Sequence, residues 1–249
     1  MFERTYSFTS IFRIMALIGD SLSSGEFQIP DPNKEGECLY LDKIPYSWGQ
    51  FLANKNGIKM YNFTKGGMTA KEYNESFAKE NDFYNVKYKA QAYLIALGVN
   101  DLLNLRFELG ELSDIDVKDY HNNKETFMGQ YAKIIQMYKE INPDAKFFLV
   151  SMPHDCRDSD HDKVMKKACH DFLHELCKMF SNCYVVDLYE KMEPYTFELN
   201  RKYFMMGHLN PLGYVYTADV VDKLIDEIID NNPKDFELVG VTDLIKTGL

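Results

Sequence analysis

A serine hydroxyl attacks a carbonyl at neutral pH only when a base lies within hydrogen-bond reach, and the attack is fast only when donors await the oxyanion. Residues 15–25 read MALIGDSLSSG, an apolar run that stops at Gly-Asp-Ser-Leu and leaves Ser21 at a strand end, free to turn its hydroxyl to solvent. Of the six histidines, His208 stands in a Gly-His-Leu-Asn-Pro turn just before the last helical pattern, where a loop can deliver it to the edge of a sheet. Two further strand ends carry donors. The second glycine of NFTKGG, Gly67, offers a backbone N–H that a ligand can approach closely, and Asn100 in LGVND offers an uncharged side-chain amide. Taken singly, each motif is ordinary turn chemistry, and His208 alone reads equally as a surface histidine. Taken together they suit acyl transfer through a serine nucleophile.

Such groups must be held by a framework. Apolar runs at 12–18, 58–63, 92–97, 145–151 and 183–188 read as strands, and their continuity implies burial on both faces, as in a parallel sheet. Helical patterns fall between them at 46–55, 69–79, 123–141 and 161–179; in the third, Phe127, Tyr131, Ile134, Ile135 and Tyr138 share one face. A last helix is expected to start after Asn210, with Asn as N-cap and Pro211 in the first position, and to stop at Asn232-Pro233. Residues 23–45 and the acidic stretch 102–122 read as long loops leaving strand ends. Loops at the carboxyl edge of a parallel sheet build the ligand crevice, so both are candidate walls of a pocket, although long loops are often surface alone. The tail 233–249 has a mixed pattern that assigns no element.

Bulk properties narrow the function classes. A chain of 249 residues, 45% hydrophobic, suits one α/β domain over 1–249. The net charge of −10 opposes binding to a phosphate backbone, so no nucleic-acid partner is expected. No apolar run reaches the roughly 20 residues of a membrane helix, and the first one contains Arg13 and leads straight into GDSL, which reads as a strand and not as a signal peptide. Five cysteines without a framework spacing fit a reducing compartment, with the cytoplasm as the expected location.

In chain order, GDSL at 19–22, the glycine of NFTKGG, GVND at 98–101 and the C-terminal His208 resemble the four signature blocks of the SGNH hydrolases, the GDSL esterases and lipases. The resemblance spans about 12–230. It implies a three-layer α/β/α sandwich with a central five-stranded parallel sheet, flavodoxin-like in outline, and hydrolysis of a carboxylic ester without metal or organic cofactor. It also implies Ser21 as nucleophile, His208 as base, and an oxyanion hole from the Ser21 and Gly67 N–H groups with the Asn100 amide; Asp20 and Asp101 would brace the loops. The substrate expected is a short-acyl, acetyl-type ester of a sugar or other small polar alcohol. One position departs from the family pattern: the acid usually found three residues before the histidine is replaced by Met205. A triad acid orients the imidazole and stabilises its protonated form, which a thioether cannot do. Three readings stay open, namely a Ser–His dyad steered by a backbone carbonyl near Met205, an acid such as Asp187 supplied from elsewhere, or a binding module that has lost turnover.

Other residue groups point less clearly to chemistry. His170, His174 and Cys177 lie at helical spacing with Cys169 and His154 nearby, but HDFLHELC is not HExxH and no CxxC occurs, so the stretch reads as an amphipathic helix and no metal is expected. Cys156 has His154 beside it, yet the flanking Asp155 and Asp158 disfavour a thiolate. Neither GxGxxG nor GxxxxGK is present.

Overall fold

All five continuous apolar runs become strands in the computed structural model, which describes residues 6–241. They are β1 (Ile14–Gly19), β4 (Lys59–Thr64), β5 (Ala92–Ala96), β6 (Lys146–Val150) and β7 (Cys183–Val186), joined in the order β4-β1-β5-β6-β7 with every pairing parallel. The α/β sandwich expected from the sequence is therefore the observed fold. β1 shows why its run has no polar gap. Ala16 and Ile18 enter one helix-covered layer, Met15 and Leu17 enter the other, and all four are fully buried.

The helices fall into two sets. On one face lie α3 (Ala70–Glu72) and α4 (Ala78–Glu80), which run on through a π-helical turn at Tyr73–Phe77, with α5 (Phe127–Ile141) and α6 (Asp160–Met179). On the other lie α2 (Trp48–Asn56), α9 (Pro211–Asn231) and the short α10 (Pro233–Phe236). Short helices α1 (Ser21–Ser24), α7 (Leu188–Lys191) and α8 (Phe197–Tyr203) cap strand ends and loops. The five-residue face of α5 foreseen from the sequence is buried against the sheet, and Thr126 caps the helix by accepting from Gly129 N at 3.3 Å. α9 begins as expected, Asn210 Oδ1 accepting from Gly213 N at 3.0 Å with Pro211 in the first turn. Part of the unassigned tail is α10, whose Phe236 packs on Phe12 and Phe148; residues 242–249 lie outside the described residues. No helix among the described residues is long and apolar enough to cross a membrane.

The two long excursions are more structured than the sequence suggested. Residues 23–45 contain an antiparallel hairpin of β2 (Glu26–Pro30) and β3 (Cys38–Asp42), in register from Glu26↔Asp42 to Pro30↔Cys38. The second excursion opens with a π-helical turn, Val99–Asn104, and continues through 3-10 turns at Leu112–Asp114 and Tyr120–Asn122. A small hairpin of β8 (Phe204–Met205) and β9 (His208–Leu209) precedes α9.

Candidate active site

Strand register decides what meets at the carboxyl edge. Gly19, the last residue of β1, is level with Thr64 on β4 and with Ala96 on β5, so the segments carrying Ser21, Gly67 and Asn100 leave adjacent strands at one height. The chain reverses direction across the sheet at β1, whose neighbours are β4 and β5, and open α/β sheets form their ligand crevices at such a switch point.

Ser21 is the first residue of α1. Asp20 caps that helix, its Oδ1 accepting from Leu22 N at 3.0 Å. The turn is so tight that a Cβ on Gly19 would come within 2.5 Å of the Ser23 side chain, which explains glycine before the Asp-Ser pair. Gly67 has φ +74°, a left-handed conformation that suits glycine, and open space surrounds its Cα. The Asn100 amide is fixed at both ends: Nδ2 donates to Met68 O at 3.1 Å and Oδ1 accepts from Asn104 Nδ2 at 2.8 Å. A carboxamide nitrogen has two hydrogens, so the second N–H stays available for a ligand. Asp101 ties the two donor loops together by accepting from Ala70 N at 2.9 Å.

His208 reaches the edge on β9, which packs against α1. Met205 is its cross-strand partner in the β8–β9 hairpin. The imidazole is oriented by the β2–β3 hairpin instead. Gln28 Oε1 lies 3.2 Å from His208 Nδ1 and also accepts from Gly207 N at 2.8 Å. That contact assigns the proton to Nδ1 and leaves the Nε2 lone pair for chemistry. At Nε2 stands Glu26, whose Oε1 is 3.0 Å away, while its other oxygen lies over the bare Cα of Gly66, where an added Cβ would approach it to 2.1 Å. The Ser21 Oγ makes no hydrogen bond to another described residue. Asp187, the alternative acid, faces His170 and His174 and not His208.

Burial dominates the electrostatics. Desolvation, with Asp42 nearby, raises the Glu26 carboxyl to about 7, and desolvation lowers the His208 imidazole although Asp42 opposes it. Both directions favour the neutral pair, with the Glu26 O–H donating to Nε2, over an ion pair. Asp20 is raised to about 7 by burial, against the Leu22 N–H and with the charge of Asp101; Asp101 is raised to about 6 by burial, against the Ala70 N–H.

Beside these groups opens a cleft of about 570 Å³ lined by Leu22, Trp48, Val99, Met152 and Tyr195, with Arg157 at its rim. Arg157 holds the β6–α6 loop to the histidine hairpin, chelating Asp155 at 2.9 and 2.7 Å, reaching Met206 O at 3.4 Å and lying over Phe204. Within the 23–45 segment that the sequence offers as a candidate wall, Glu26 and Gln28 carry no motif of their own. The alternating pattern of EFQIP and CLYLD around a Pro-Asn-Lys-Glu-Gly turn was the available signal.

A profile of the GDSL-like lipase/acylhydrolase family matches residues 17–216. No curated protein sequence matches this chain. Among solved structures, the chain is similar to a carbohydrate esterase family 2 enzyme with a carbohydrate-binding domain from Corynascus thermopiles (Myceliophthora fergusii), at 18% identity over 92% of this chain and 69% of that one, with TM-score 0.56. It is similar to the psychrotrophic esterase EstA from Pseudoalteromonas sp., at 15% identity over 88% and 99% of the two chains, TM-score 0.53. A lipase/acylhydrolase from Enterococcus faecalis matches at 18% identity over 86% and 96%, TM-score 0.54.

Proposed function

Because the chain belongs to the GDSL-like lipase/acylhydrolase family, we propose that it hydrolyses carboxylic esters with Ser21 as its nucleophile, His208 as its base, and Ser21 N–H, Gly67 N–H and the free Asn100 Nδ2–H as its oxyanion donors. The observation that carries this assignment is the common level of Gly19, Thr64 and Ala96, with the His208 hairpin packed on α1. Ser21 Oγ attacks the acyl carbon as its proton passes to Nε2, and the three donors take the negative oxygen. Collapse expels the alcohol, which leaves with the proton from Nε2. Water, deprotonated by the same nitrogen, then releases the acid and restores Ser21. Gln28 takes the orienting place of the missing triad acid, in preference to a backbone carbonyl or Asp187.

The substrate class is a short-acyl, acetyl-type ester of a sugar or other small polar alcohol. Tyr40, 56% exposed, sets its ring edge-on to His208 at 77° with centroids 5.8 Å apart, and such a face suits the apolar side of a pyranose. The carbohydrate esterase among the structural neighbours is consistent with this preference. A second reading, a binding module of the same fold without turnover, draws on Met205 and on Glu26 at Nε2.

Hydrolysis of p-nitrophenyl acetate by wild type, Ser21→Ala and His208→Ala separates these readings. Turnover lost in both variants, with wild type labelled by a serine-directed phosphonate, is the expected result. Equal rates in all three proteins would refute the nucleophile and base; a wild type that neither hydrolyses nor labels would establish the binding module.

A further inference from the structure

Outside the cleft, α6 and the end of β7 bring together three groups that the ester chemistry does not use. His170 and His174, one helical turn apart on α6, both direct Nε2 at a single oxygen, Asp187 Oδ2, at 3.1 and 3.3 Å. The ligand atoms of the three residues all lie within 4.8 Å of one another. We propose that His170 Nε2, His174 Nε2 and Asp187 Oδ2 form a binding site for a divalent transition-metal ion of the zinc class, with a fourth position open to solvent.

The spacing fits. A tetrahedral ion with bonds of about 2.0–2.1 Å has ligand-to-ligand edges of about 3.3–3.4 Å, close to the two nitrogen–oxygen separations already present. Donor chemistry also fits, since two imidazoles and one carboxylate suit zinc or cobalt far better than calcium or magnesium.

The surroundings are arranged as a metal site requires. Asp187 Oδ1 is taken up by Ser151 Oγ at 3.1 Å and Glu190 N at 3.1 Å, which turns Oδ2 toward the histidines. His170 Nδ1 sits 3.1 Å from Asp171 Oδ1, which is in turn bound by Lys167. A neutral imidazole has one N–H and one lone pair, so His170 cannot donate to both Asp171 and Asp187 unless it is charged. With a metal on Nε2 the conflict disappears: Nδ1–H donates to Asp171, the carboxylate–histidine–metal arrangement common around zinc. His170 and Asp187 are nearly buried, whereas His174 is 46% exposed, which gives an ion a route in and a place for water. The helical spacing was visible in the sequence, but the third ligand lies on a different element and no local motif announces it.

The test uses the whole chain, freed of metal with a chelator and titrated with Co²⁺. One equivalent should bind and give the visible absorption of a low-coordinate cobalt site, and Zn²⁺ should displace it. Zinc at a hundredfold excess over its dissociation constant should raise the unfolding temperature by roughly 5–10 °C. His174→Ala, a change at an exposed position, should fold normally, lose the cobalt spectrum and lose most of the zinc-induced shift. The neighbouring thiols Cys177 and Cys183, with Sγ atoms 3.2 Å apart, are the competing site. Cys177→Ser should therefore bind cobalt as wild type does. No saturable cobalt uptake by wild type, or uptake kept in His174→Ala and lost in Cys177→Ser, would overturn the site.

Discussion

A glutamine can orient a histidine without sharing its charge. Gln28 Oε1 receives both Gly207 N–H and His208 Nδ1–H, so it fixes ring and tautomer, but unlike a carboxylate it gives the imidazolium no opposite charge. In the proposed mechanism, Gln28→Leu should lower kcat for a short-chain ester on the order of 10- to 100-fold with KM little changed, the effect of losing one half-buried orienting hydrogen bond. A kcat equal to wild type would remove Gln28 from the mechanism. Glu26 bears on pH. While protonated it donates to Nε2 and occupies the lone pair that Ser21 needs; ionised, it can no longer donate. Activity should therefore rise with pH through about 7, following Glu26 and not the depressed imidazole. In Glu26→Ala the acidic limb of the kcat/KM profile should move below the ordinary imidazole value, and an unmoved limb would show that Glu26 does not gate the base.

At the level of elements, the legible and illegible parts divide by how far the deciding contacts lie along the chain. Strands β1, β5 and β6 are readable because they are buried on both sides, which a continuous apolar run announces locally, whereas β4 and β7, at the sheet edges, are only half-buried along much of their length. The start of α9 was readable because Asn210 and Pro211 encode it within two residues. Glu26 and Gln28 were not, because their roles come from contact with a hairpin some 180 residues away, and nothing in EFQIP indicates which loop will lie against it. The strand at 183–188 is shorter than its apolar run for a related reason: Asp187 turns to cap α7, accepting from Glu190 N, and ends the strand at Val186. The cap of α9 gives a test at this scale. Asn210 accepts from Gly213 N and donates to Lys202 O at 2.8 Å, so it joins the start of α9 to the end of α8. Asn210→Ala should cost about 1–2 kcal/mol, seen as a fall of about 2–8 °C in unfolding temperature. Unchanged stability would mean that α9 is held by its packed face alone.

The molecule as a whole places buried acids at the carboxyl edge of its sheet, and they set how stability varies with pH. Asp20 rises from 3.8 to about 7 and Asp101 from 3.8 to about 6, burial being the leading cause for both. An acid whose folded pKa is raised holds its proton in the native state while the unfolded chain has released it. Its contribution is full below about 3.8 and is lost as pH climbs through 6 to 7. Carboxylates such as Asp155, held low by Arg157 against the cost of burial, act in the opposite sense and lose their contribution only at more acidic pH. The net charge of −10 at neutral pH adds self-repulsion in the same direction as Asp20 and Asp101. Stability should therefore peak at mildly acidic pH, near about 4–5, and decline toward pH 8. Asp20→Asn isolates one group, since an amide oxygen can still accept from Leu22 N while carrying no charge to bury. A shift of this size corresponds to on the order of 2–4 kcal/mol after some relaxation of the surroundings. The variant should match wild type only near about pH 4 and below, and unfold roughly 5–10 °C higher at pH 8, by thermal denaturation at fixed ionic strength. Parallel curves for the two proteins across that range would mean that Asp20 is already ionised in the folded state, and the decline would then have to come from Asp101, Glu26 and the overall charge.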